Sequence, residues 1–97
     1  MPITKYNFSV DKIDMATRRI IPETVLYGQT FMELLEECSD FIEKHDFKHL
    51  DSCIITNYKN KQGDPKIITF SNFVMKMSEH LFLASNCCAV DIDDFEL

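Results

Sequence analysis

Three side chains able to ligate a metal, His45, His49 and Cys53, follow one another at intervals of four. On one continuous helix that spacing would place all three on a single face, where they could hold zinc, with Asp46 or His80 completing the set. Cys53, however, opens the run Cys53-Ile54-Ile55-Thr56-Asn57-Tyr58, which is rich in β-formers. A change from helix to strand between His49 and Cys53 breaks the spacing. The chain also lacks the paired cysteines of structural zinc sites. The expectation is therefore no metal and no cofactor, with two ordinary histidines in a polar loop.

Other catalytic arrangements fare no better. Cys87 or Cys88 could pair with His80 as a nucleophile, but a reactive thiolate needs cationic neighbours. The stretch 85–97 is acidic instead. Glu36 and Glu37 are adjacent carboxylates on a polar face, whereas a general acid needs an apolar pocket that raises its pKa. Only two glycines occur, Gly28 and Gly63. No phosphate-cradling loop, nucleophile elbow or H-E-x-x-H is present. The chain reads as a non-enzyme.

The strongest signal lies between Thr30 and His45. Apolar residues at 31, 34, 35, 38, 41 and 42 follow the spacing of one helical face. Thr30 and Glu33 form a capping-box pattern in which the glutamate would reach back to the cap N–H. Gly28 lets the chain turn in, and Lys44 and His45 suit the C-terminal end of the helix dipole. The opposite face presents Glu33, Glu36, Glu37, Asp40 and Glu43, mostly as like-charge neighbours. Such a stripe is either a solvated outer face or a surface that docks on a basic partner.

The remaining elements frame that helix. Residues 3–10 alternate as a half-buried strand, with Tyr6, Phe8 and Val10 facing one way. Asp11-Lys12 is a candidate turn, and a second strand is expected from Ile13 to Ile21. Pro22 then suggests an edge or a break. Thr24–Tyr27 is a short extended lead into the helix, and 46–51 a polar connection. Cys53–Tyr58 and Pro65–Phe70 form a hairpin around a loop containing Gly63. From Ser71 to Ser85 a second helix has Phe73, Val74, Met77, Leu81 and Ala84 on one face. Met75, Phe82 and Leu83 widen its apolar surface and are a candidate oligomer seam. The order ββαββα indicates an α+β fold with a small antiparallel sheet of about four strands. Residues 1–88 form the single domain, and 89–97 an acidic-hydrophobic tail or short strand.

A chain of 97 residues supports one domain with a modest core. Its net charge of −6 and pI near 4.9 argue against direct binding to nucleic acid or an anionic membrane. No apolar run approaches a membrane span. The first residues carry no apolar leader, so a cytoplasmic protein is expected. Cys38 and Cys53 then read as small core hydrophobes with reduced thiols.

Size, acidity and missing catalytic signatures are similar in kind to small virus-encoded inhibitors that block nucleic-acid-handling proteins. The likeness is one of composition, and no family motif carries it. It implies a nucleic-acid mimic binding a basic protein surface through Glu33, Glu36, Glu37, Asp40 and Glu43, with Asp91, Asp93 and Asp94. The alternatives are a self-associating subunit, such as a homodimer through the second helix, and a small metalloprotein or enzyme using His45, His49, Cys53 or His80.

Overall fold

The computed structural model of the chain describes residues 6–59, 62–86, 91–93 and 95. Strand β1 (Tyr6–Asp14) pairs on one side with β2 (Arg19–Gly28) and on the other with β3 (Cys53–Lys59). Strand β4 (Pro65–Thr69) closes the sheet in the order β2-β1-β3-β4, antiparallel throughout. Helices α1 (Phe31–Lys44) and α3 (Phe70–Asn86) cover one face of this sheet, and a short helix α2 (Phe47–Asp51) follows α1. The fold is α+β with the expected four antiparallel strands. None of the described helices is long and apolar enough to cross a membrane.

The elements differ from the sequence expectation at three places. The first turn is not at Asp11-Lys12: β1 runs on to Asp14, and the chain reverses over 15–18. The Asp14 carboxylate accepts from the Ala16 N–H at 3.0 Å, and Arg18 enters the left-handed region at φ 58°. Such a side-chain acceptor two residues before a turn is what stabilises it. Pro22 marks an edge strand as expected, but it does not end the strand. The register passes from Val10↔Thr24 to Asp11↔Pro22, so Glu23 is an extra residue in a β-bulge. Finally, the polar connection after His45 contains α2. Asp46 caps it, accepting from the His49 N–H at 2.9 Å, and the Ser52 hydroxyl donates to the His49 carbonyl at 2.8 Å.

Helix α1 begins where its sequence indicates. Thr30 Oγ1 accepts from the Glu33 N–H at 3.2 Å. Glu33 reaches back one residue further than the capping box requires, taking the Gln29 N–H at 2.7 Å rather than that of Thr30. Gly28 is needed for space rather than for an unusual backbone angle. A Cβ there would lie 2.8 Å from the Leu34 nitrogen and 2.9 Å from Glu33 Cβ. Only a hydrogen at this position lets β2 pass that close to the first turn of α1.

The core is built on aromatic rings. Phe31 and Phe73 are fully buried. The ring of Phe31 meets those of Phe95 at 5.1 Å, His80 at 4.9 Å and Tyr6 at 6.5 Å, in tilted or edge-on arrangements. Phe41 against Phe70, and Cys38 Sγ against Met77 Sδ at 3.6 Å, join the two long helices. The boundary expected after residue 88 falls among residues 87–90, outside the described ones. Beyond it, Phe95 is buried, its N–H donates to the Tyr6 hydroxyl at 3.2 Å, and that hydroxyl donates to the Asp93 carbonyl. The described part of the C-terminal segment is thus packed onto the domain and not a free tail.

Replacing this anchor, Phe95→Ala, is expected to cost about 3–5 kcal/mol, the usual range for truncating a buried phenylalanine. Urea unfolding measures it, and a loss below about 1 kcal/mol would show that the segment contributes little to the fold.

Candidate functional site

Along α1 the side chains of Glu33, Glu36, Asp40 and Glu43 are exposed and Glu37 is half-buried. Helix α1 packs against β2, the outer strand of the sheet. Between them runs an open groove lined by Tyr27, Gly28, Gln29, Glu33, Glu36, Glu37 and Asp40, with a volume of about 330 Å³. A second groove of about 380 Å³ shares Tyr27, Glu37 and Asp40 with it. It continues along β2 to Glu23, Lys44 and His45. Among the described residues, no lysine or arginine pairs with any of the five carboxylates of α1. Tyr27 stands half-exposed among them. Carboxylates beside an aromatic face suit lysine and arginine side chains, through ion pairs and cation–π contact.

The described C-terminal acids each bond a backbone N–H. Asp93 is half-buried, and its Oδ1 accepts from the Phe31 N–H at 2.9 Å, which satisfies a free donor at the start of α1. Asp91 is exposed and accepts from the Asp93 N–H at 3.0 Å. Asp94 lies outside the described residues. Of the expected partner-binding residues, the structure gathers Glu33, Glu36, Glu37, Asp40 and Glu43 and gives Asp93 a bond within the domain. Met75, Phe82 and Leu83 are exposed on α3, at 58%, 66% and 51%, and with Ser78 and Glu79 they line an apolar hollow.

The histidines separate. His80 Nε2 lies 2.8 Å from the Ile92 carbonyl, and its ring packs on Phe31 and Phe95, so it serves the core. Cys53 is buried in β3, and its thiol donates to the His49 carbonyl at 3.4 Å. His45 and His49 come together: their rings stack at 4.0 Å with only 8° between planes. Both face Glu23, whose Oε1 lies 2.7 Å from His49 Nε2 and 3.6 Å from His45 Nε2. Sequence spacing found the histidine pair but not Glu23, which is 22 residues before His45 and owes its position to the bulge beside Pro22.

The thiols are poorly suited to nucleophilic work. Burial, reinforced by the charge of Glu37, pushes the Cys38 thiol up to about 12. Burial and Glu23 push Cys53 up to about 11, with Lys12 opposing. Cys87 and Cys88 lie outside the described residues. Compared with known protein families, with characterised proteins and with solved structures, the chain matches none of them.

The buried Cys38 thiol has a consequence for alkaline stability. The folded state holds it neutral, whereas the unfolded chain releases its proton near pH 9. Its contribution is complete below about pH 9 and is lost as pH rises towards about 12. Unfolding free energies measured from pH 8 upward should fall in the native chain. In Cys38→Ala the fall should be shallower by about 1.4 kcal/mol per pH unit above pH 9. Parallel curves would show that the thiol does not contribute.

Proposed function

We propose that this chain is a small, cytoplasmic, non-enzymatic protein-binding module. It acts as a nucleic-acid mimic of the virus-inhibitor type. Its α1 face and the adjoining groove occupy a basic surface on a partner that handles nucleic acid. The observation that carries this reading is a set of five carboxylates on one helix, none neutralised by a described lysine or arginine, beside a half-exposed tyrosine.

The magnitudes favour mimicry over simple solubility. Glu33 to Glu43 span about 15 Å of helix at 1.5 Å per residue. Five charges over that length give one about every 4 Å, close to the 3.4 Å axial spacing of phosphates along one strand of a duplex. Like charges this close slightly destabilise the helix that carries them. They also raise a local negative potential, which steers a cationic partner and weakens with salt. Tyr27 adds a planar apolar contact at which an arginine can stack.

The reading is tested by capture from a native-cell lysate at low and high salt, using the native chain and Glu36→Lys/Asp40→Lys. Both substituted positions are exposed, so the fold should survive. Capture of a basic protein is expected to fall at least tenfold in the variant and to weaken with salt in the native chain. Equal capture by both proteins would remove the acidic face from the interface.

Self-association through α3 is favoured by a different observation, the exposure of Met75, Phe82 and Leu83 around one hollow. Clustered large apolar side chains are a common mark of an interface. Sedimentation equilibrium should then show a dimer at high concentration that Phe82→Glu abolishes. A strict monomer would exclude it.

A further inference from the structure

We infer that Glu23, His45 and His49 form a binding site for a divalent transition-metal ion of the zinc type. The three side chains come from three elements: the bulge of β2, the C-cap of α1, and α2. One ligand atom from each lies within 4.8 Å of the others. In a tetrahedral zinc site with bonds of about 2.0–2.1 Å, neighbouring donors stand about 3.3–3.4 Å apart. The His45 Nε2–Glu23 Oε1 separation of 3.6 Å is already near that value. The His49 Nε2–Glu23 Oε1 separation of 2.7 Å must open by about 0.6 Å, which a small rotation of the carboxylate supplies.

A simple hydrogen bond accounts for only half of this arrangement. Glu23 accepts from His49 in the ordinary way, but His45 Nε2 lies beyond hydrogen-bond reach of the same oxygen. The two imidazoles are stacked nearly parallel, with both Nε2 atoms near one carboxylate oxygen. An ion held by all three groups would swing the stacked rings apart, to about 5 Å between centroids for a tetrahedral site.

The donor set selects the kind of ion. Two imidazoles with one carboxylate suit zinc and its neighbours, whereas magnesium and calcium prefer oxygen alone. Three protein ligands leave the fourth position to water. The side chains are between 21% and 26% exposed, so an ion can enter from solvent. His45 and Glu23 open onto the acidic groove, where Glu37 and Asp40 favour cations and Lys44 is the opposing charge. Cys53, which sequence spacing added to such a site, and His80, a candidate to complete it, are both committed elsewhere.

The test is titration of the reduced, metal-free full chain with zinc chloride by calorimetry, and with cobalt(II) by visible absorption. Glu23→Gln, His49→Ala and Cys87→Ser/Cys88→Ser are titrated in parallel, with circular dichroism to verify the fold. One equivalent of zinc is expected, with the intense visible bands of four-coordinate cobalt. Glu23→Gln, which is isosteric and keeps a hydrogen-bond acceptor for His49, should weaken zinc binding at least tenfold. Altering a group merely adjacent to a metal ligand typically costs 10–100-fold. His49→Ala should abolish binding, and the cysteine variant should bind as the native chain does. No binding by the native chain, undiminished binding in Glu23→Gln, or loss confined to the cysteine variant would each overturn the assignment.

Discussion

The close seating of the first turn of α1 against the end of β2 is the constraint on which the rest of the structure depends. Gly28 removes the Cβ that would strike Leu34 and Glu33. Thr30 and Asp93 then satisfy N–H groups of that turn, and Phe31 drops into the centre of the aromatic core. Helix entry, core and C-terminal segment therefore meet at one place. Because the apolar side of α1 is fixed there, the orientation of the carboxylates along its outer side follows by helical geometry.

The same seating sets the position of the far end of the helix. Three to four turns on, α1 ends at His45, whose ring is tilted against Phe41 and stacked on His49. Asp46 starts α2 at once, so the chain turns without a long loop. The two histidines stand over β2 at the level of its bulge. The acidic groove and the histidine–glutamate cluster are thus opposite ends of one seam between α1 and β2.

How much of this was legible in the sequence depended on the range of the interactions concerned. Helix α1, its threonine cap and the β3–β4 hairpin are encoded by local periodicity and local acceptors, and they form where the residues indicate. The carboxylate stripe follows from the same period. Pro22 marked the edge strand, but not that a bulge lets that strand continue through the proline. Helix α2 was hidden by its shortness, although Asp46 is a recognisable cap. Phe95 reads as part of a tail because its partners, Tyr6 and Phe31, are far away in the chain. Glu23 meets His45 only after the sheet and α1 have docked, and no local pattern announces that meeting.

Both rims of the sheet carry a proline, Pro22 on β2 and Pro65 on β4. A proline offers no N–H to an incoming chain, and the bulge at Glu23 twists the first rim away from a flat template. Extension of the sheet by a foreign peptide backbone is thereby discouraged at each border. Association at either border leans on side-chain chemistry more than on backbone pairing, and stacking of copies edge to edge is disfavoured at those two positions.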